Sequence, residues 1–468
     1  MIKHLLNKIL QKPENVFLVI GSLFGLLGVF LMPALTIPDE GAHFWMSYSM
    51  FSKNEQIPKD LLVSAEDSSE FVKDGSYSNK VFRQKADLEG DSFQFNYSKR
   101  ITINSSNDSR SVSSLDISRI PQAVGVVIGK MIYPSVGEMS TVGRLFNLAF
   151  FIAAIYFVIK RVRYGKLAIT FLALFPMIIH QAGSMSYDVI NIVAVFVWAG
   201  LMLNLFTQTT SITKKQIAKV LLIGAVLVAT KPTNAILLGF LPFLPSVLYK
   251  NTKPLMRIRA LVPRIKLRAR TIWIFLGIIA VPAVVFAVLV ADAYLNIYGI
   301  SSRTFVQVLF NTFFQTNINT QLDPIVTTGI VGHFGWLWYK LPEWLVFVHL
   351  SVFGLILLGQ KVPQISRRFA IVSLSLFVLS ITAIVLGMYF LWTLDPKVAG
   401  PGATFIQGMQ GRYFTPLLIL LVPVFAYLQK YINVKINQKL LVVIAITTAI
   451  FSLTVYMLLT YTYFYLPA

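Results

Sequence analysis

Residues 16–44 read VFLVIGSLFGLLGVFLMPALTIPDEGAHF. Positions 16–36 carry no charged residue, and at about 1.5 Å per residue a helix of that length crosses a hydrocarbon layer of roughly 30 Å. Directly after it, two carboxylates and a histidine fall within about one helical turn: Asp39, Glu40 and His43. A spanning helix that ends on an ionisable cluster sets the class of the whole chain. The remaining sequence agrees, with 468 residues, 56% of them hydrophobic and 13% charged, and a mean hydropathy of +0.68. Such a balance excludes an ordinary soluble domain and predicts an all-α polytopic membrane protein.

The formal charge of +21 does not describe a nucleic-acid surface, because the basic residues sit in short clusters between apolar runs rather than on one solvated face. With no cysteine, disulfides, thiolate metal sites and a cysteine nucleophile are excluded. The N-terminal MIKHLLNKILQKPEN resembles the start of a signal peptide. The apolar run behind it is long enough to span, however, and Pro33 with the PDE that follows makes a poor cleavage site.

Apolar runs fall at 16–36, 144–160, 167–183, 188–206, 217–231, 232–249, 272–291, 342–359, 369–390, 413–428 and 440–461, which predicts about eleven transmembrane helices. Pro176, Pro232, Pro242 and Pro282 interrupt several of them. With the N-terminus inside, alternation places the basic clusters at 160–166, 214–219, 249–270, 361–368 and 430–439 on the cytoplasmic side, where Glu14 is the single acid. This asymmetry predicts an inside N-terminus and an outside C-terminus. The run at 249–270, with eight Lys/Arg and no acid, suits anionic inner-leaflet lipid.

The expected organisation is a cytoplasmic segment 1–15, a first span 16–36, an exterior lobe 37–143, spans two to seven over 144–291, a second exterior loop 292–341, spans eight to eleven over 342–461, and an exterior tail 462–468. The first lobe has a Ser-, Asn- and Asp-rich middle with alternating SFQFNY and RITIN, read as a small α/β lobe with a β-hairpin. HFWMSYSMF at 43–51 and RIPQAVGVVIGKMIY at 119–133 suit interfacial helices.

Chemistry-bearing residues gather at the outer ends of the spans. Thr36 and Asp39 match a capping box, which alone would explain Asp39. Yet a cap needs one acid, and this turn supplies two plus His43; a carboxylate there suits a general base or a divalent-cation ligand. Asp188 in GSMSYDVINI opens the fourth span and Lys231 in ATKPTN closes the fifth. Each is read either as a cap or snorkelling residue or as a cavity-lining site group. Arg412 in QGRYFTP can grip a phosphate or anchor a helix. His333 lies in VGHFGWLWYKLPEW with Trp336, Trp338, Tyr339 and Trp344, an aromatic belt or a sugar-stacking surface. No P-loop, G-x-S-x-G, H-E-x-x-H or dinucleotide fingerprint stands in a suitable context.

PDEGAHF after a first span, then SYD opening a later helix, KP in the next and GRYFTP near the end resemble a bacterial family of polytopic proteins first catalogued as a domain of unknown function and related to the C-type glycosyltransferases (the GT-C fold). The resemblance follows most of the chain in the order of its features, and PDEGAHF and GRYFTP are its specific motifs. It implies a transferase that takes a sugar from a polyprenyl-phosphate-linked donor at the outer face of the cytoplasmic membrane and passes it to a cell-envelope acceptor: a wall polysaccharide, teichoic acid or glycolipid. By the same resemblance Asp39 is the base and Glu40 assists or binds a cation. His43 orients the acceptor, Asp188 binds acceptor or metal, and Lys231 and Arg412 hold the donor phosphate. A divalent cation, Mg or Mn, bound by Asp39 and Glu40 is the candidate cofactor. Two competing readings are a lipid-linked glycan polymerase or ligase, which would share the site, and a flippase or transporter of lipid-linked sugars. The latter predicts acids spread along a path across the bilayer and an internal repeat, and neither is visible.

Overall fold

In the computed structural model, residues 12–52, 55–56, 104–105, 116–249, 297–320, 322–432 and 434–466 are described. The middle of the first exterior lobe, most of the basic run at 249–270 and the apolar run 272–291 lie outside the described residues.

Among the described residues the protein is mainly helical. Five helices are long and apolar enough to cross a membrane: Pro13–Leu31 (α1), Val136–Arg161 (α4), Asp188–Phe206 (α7), the stretch Arg367–Thr393, and the C-terminal helix Gln438–Tyr465. Shorter apolar helices occupy Pro232–Phe243, Glu343–Gly359 and Thr415–Leu428. The run at 167–183 forms two short helices, Lys166–Ala173 (α5) and Pro176–Ala182 (α6), because Pro176 has no N–H to continue the first ladder. Lys214–Thr230 (α8) begins with a capping box between Thr213 and Gln216. It stops at Lys231, after which Pro232 starts a 3-10 helix through Phe243.

The first helix packs against both α4 and the C-terminal helix Gln438–Tyr465, so the two ends of the described chain close one bundle. A single large apolar core runs through these helices, α5 to α7 and Glu343–Gly359. Two helices lie over one end of the bundle, Glu40–Ser49 (α2) and Ile120–Ile132 (α3). Helix α3 approaches α4 closely enough that a Cβ on Gly125 would stand 2.6 Å from the Val142 carbonyl oxygen and 2.7 Å from Gly143 Cα. That contact explains the small residues in GVVIG at 125–129. Strand order is minimal among the described residues: Glu55–Gln56 pairs antiparallel with Asn104–Ser105, and His333–Phe334 with Tyr339–Lys340.

The capping box expected at Thr36–Asp39 is not formed. Helix α2 starts at Glu40, and Asp39 stands at its N-cap with φ 59° and ψ 11° and no side-chain cap bond. An N3 residue must have helical backbone angles, and Asp39 lies in the left-handed region instead. Thr36 Oγ1 donates to the Pro33 carbonyl at 2.7 Å. The acid that reaches back to the turn is Glu40, whose Oε2 accepts from the Ile37 N–H at 3.4 Å.

Candidate functional site

The turn between α1 and α2 is held from below by one arginine. Arg144, fully buried in α4, donates through Nε to Glu40 Oε1 at 2.8 Å and through Nη2 to Glu40 Oε2 at 2.5 Å. Its guanidinium also reaches the carbonyls of Met32 (2.6 Å), Pro33 (2.8 Å) and Val29 (3.4 Å). These are the unpaired oxygens at the C-terminal end of the first spanning helix, where a cation is favoured. Glu40 Oε1 takes a further N–H from Met185 at 3.0 Å. Asn147 Nδ2 fixes the carbonyls of Ser184 (2.8 Å) and Ser186 (3.1 Å), so the loop before α7 is bound to the same brace.

This corrects the joint assignment of the two acids. Both oxygens of Glu40 are committed to a bidentate, buried ion pair and to backbone donors, which leaves it no free lone pair for an acceptor proton or a metal. Asp39 differs: its side chain is 59% exposed and stands 3.9 Å from an Arg412 Nη2 that is almost fully buried. A divalent cation shared by Asp39 and Glu40 does not fit this arrangement, since one partner is consumed by Arg144 and the other faces a guanidinium. Among the described residues no group of three or more His, Cys, Asp or Glu could hold a metal.

Strain marks the turn. Asp39 tolerates the left-handed region, but Leu35 shares it at φ 65° although its bulk disfavours it. Such a conformation is worth about 1–3 kcal/mol and persists only where packing over-determines it. Here buried Leu35 sits in a small apolar cluster with Phe44, Tyr48, Val126, Met139 and Met185.

Arg412 is delivered by Gly411. A Cβ at 411 would lie 2.6 Å from Gly329 C and from Ile330 N, so only glycine lets the 411–413 turn press against the 323–330 segment. Thr415 Oγ1 secures the turn by donating to the Ile330 carbonyl at 2.8 Å. The Tyr413 ring is close to two cations, with Lys231 Nζ 5.3 Å and Arg412 Cζ 5.4 Å from its centroid. Arg412, Lys231, Tyr413 and Asp188 line one narrow cleft with Gln181 and Asn191, about 10 Å³ in volume, which is room for about one water molecule.

His43 is buried beside this cleft, edge-on to Tyr187 at 5.0 Å, and its Nδ1 has no hydrogen-bond partner among the described residues. Burial lowers its pKa below the ordinary value; Asp188 and Asp39 oppose the shift, and Arg119 and Arg412 reinforce it. The imidazole is therefore neutral at pH 7. Arg119 lies 5.0 Å over the Tyr187 ring and pairs with Asp116. The Asp188 carboxylate first, then burial, raises the Tyr187 phenol. Around the imidazole the guanidiniums of Arg119 and Arg412 face the carboxylates of Asp188 and Asp39; with the Arg119 partner Asp116 and Lys231 in the cleft, cations and carboxylates number three each.

The geometry thus gathers Asp39, His43, Asp188, Lys231 and Arg412. It leaves His333 out: its Nδ1 meets Thr328 Oγ1 at 3.0 Å and its Nε2 the Leu337 carbonyl at 3.2 Å, beside the Asp323–Lys340 pair. Trp338 and Tyr339 stack on Tyr463 at 5.8 and 4.9 Å, which makes them packing groups. Arg119, Arg144, Tyr187, Gln181 and Tyr413 were not singled out by sequence. Tyr187 and Tyr413 stood inside the quoted SYD and GRYF motifs, whereas Gln181 is hidden in an apolar run.

No curated protein and no solved structure matches this chain. One family profile does, described as "Predicted membrane protein (DUF2142)", over residues 22–421. That span covers most of the sequence and includes the α1–α2 turn, the loop before α7, Lys231 and Arg412, so the chain belongs to the DUF2142 family of membrane proteins.

Proposed function

We propose that the protein is a glycosyltransferase of the C type, with about eleven spans, an inside N-terminus and an outside C-terminus. It moves a sugar from a polyprenyl-phosphate donor to a cell-envelope glycan or glycolipid at the outer face of the cytoplasmic membrane. The observation that carries this reading is the exposed Asp39 carboxylate facing a buried cationic cleft, with Arg412 and Lys231 flanking Tyr413. An oxygen acceptor and a phosphate leaving group need those two functions side by side.

In this scheme the acceptor hydroxyl gives its proton to Asp39 while its oxygen bonds to the anomeric carbon. The bond from that carbon to the phosphate oxygen breaks, and the electron pair leaves on the phosphate, where Arg412 and Lys231 hold the charge. Phosphate binding also competes for the Arg412 guanidinium, which frees Asp39 for the proton. Neutral His43 accepts a hydrogen bond from the acceptor, and no metal is required.

Asp39→Asn tests the assignment cleanly, because asparagine keeps the shape and also tolerates a left-handed backbone. Transfer from polyprenyl-phosphate sugar should fall by about 100-fold or more in membranes that contain a normal amount of the variant. Undiminished transfer would remove the basis of the proposal.

A further inference from the structure

Beyond its charged mouth the cleft carries polar groups that neither a phosphate nor a base requires. Gln181, in α6, is 2% exposed, and neither its Oε1 nor its Nε2 has a hydrogen-bond partner among the described residues. Asp188 is buried too, and its Oδ1 is likewise unpartnered. Both line the cleft together with Asn191, which sits one turn further along α7. Asn191 is held from behind: its Oδ1 accepts from Asn234 Nδ2 at 2.7 Å, and that same amide nitrogen donates to the Leu227 carbonyl at 3.1 Å. The Asn191 Nδ2 donors are left for the cleft.

A buried amide with both ends unmatched is unfavourable in a helical bundle, and an unmatched group of this kind calls for a partner outside the chain, a water or a ligand. Gln181 Oε1 and Asp188 Oδ1 are acceptors; Gln181 Nε2 and Asn191 Nδ2 are donors. That mixture suits hydroxyl groups, each of which donates once and accepts twice, and it does not suit a second phosphate. The cleft between these side chains has room for about one water molecule as it stands, so a sugar whose phosphate is held by Arg412 and Lys231 reaches them as the cleft widens around it. We infer that Gln181, Asp188 and Asn191 recognise the hydroxyls of the donor sugar and decide which sugar is transferred. This inference rests on the glycosyl-transfer reading above.

The test compares lipids that differ only in the sugar. Purified protein in nanodiscs is titrated with bare polyprenyl phosphate and with polyprenyl-phosphate glucose, galactose and N-acetylglucosamine. The wild type should bind the bare lipid and at least one sugar-bearing lipid about tenfold more tightly than the bare one. In Gln181→Leu that gain should disappear while affinity for the bare lipid is unchanged. The ligand-free variant should melt at the same temperature as the wild type or higher, because it has shed an unmatched amide rather than a bond. Gln181→Met, with the straighter side chain, repeats the measurement if leucine prevents insertion. A sugar-dependent gain that survives in a folded variant overturns the inference. So does a wild type that binds the bare lipid but none of the three sugars more tightly. A wild type that binds no lipid at all overturns the transferase reading itself, an outcome distinct from both.

Discussion

On one side of the peptide bond between residues 39 and 40 lies a sealed region, where Glu40 and Arg144 are fully buried and both carboxylate oxygens and every guanidinium nitrogen of the pair have a partner. On the other side lies an open one, where Asp39 meets water and a single guanidinium at 3.9 Å. The sealed region ties α1, α2, α4 and the loop before α7 together; the open region leaves lone pairs and donors unspent. Adjacent acids in one motif can therefore divide the labour, one fixing the backbone and one facing the substrate. The left-handed backbone at Asp39 directs the two side chains to their separate surroundings.

Removing one member of the sealed pair is the strongest way to break this comparison. Arg144→Met strands a buried carboxylate and releases the helix-end carbonyls, and losses of about 3–5 kcal/mol are usual for such a change. Folded, inserted protein should fall sharply, as measured by detergent-resistant, monodisperse yield. Adding Glu40→Gln to the same chain should recover part of the loss, since the stranded charge is gone. If both variants accumulate like the wild type, the brace is not what holds the turn.

A smaller effect is expected at Gly411, where the open region depends on a close backbone approach. Gly411→Ala places a methyl 2.6 Å from the 329–330 backbone, which cannot yield as a flexible side chain would, and overpacking of this kind costs about 1–3 kcal/mol. The folded fraction should survive while affinity for polyprenyl phosphate drops, because Arg412 is displaced. A variant that binds the lipid as the wild type does would show that Arg412 does not need that contact.

What the sequence reveals about these regions follows from the range of the forces involved. Hydrophobic length is local, so the apolar stretch before Asp39 and the run at 188–206 can be read directly. Ionisable residues at span ends are equally visible, which is how Asp39, Asp188, Lys231 and Arg412 are found. The partner of Glu40 is not visible, because Arg144 lies 104 residues away and in sequence it is one more arginine at the start of an apolar run. The capping box fails for the same reason: the motif is local, but the backbone that overrides it is fixed by Arg144 and by the packing of Leu35. Gln181 is masked by its apolar neighbours, and only its unmatched amide in three dimensions distinguishes it.

The smallest effect is a pH dependence centred on His43, and it sharpens the contrast because this imidazole belongs to the open region while being buried. Burial lowers its folded pKa below 6.5, against Asp188 and Asp39 and with Arg119 and Arg412. The unfolded chain thus binds this proton more readily than the folded one, and stability rises with pH across the interval between the two values. The contribution is fully present above about pH 6.5, the ordinary histidine value, and is lost as pH falls through the lowered folded pKa. Glutamine keeps a polar side chain at 43 but does not titrate, so melting curves of wild type and His43→Gln should run parallel above neutrality and diverge toward pH 5, with the wild type falling faster. The difference between the two curves isolates His43 from the other histidines of the chain. Curves that stay parallel throughout the acid range would mean that the proton enters without penalty, and that Asp39 and Asp188, not burial, govern this imidazole.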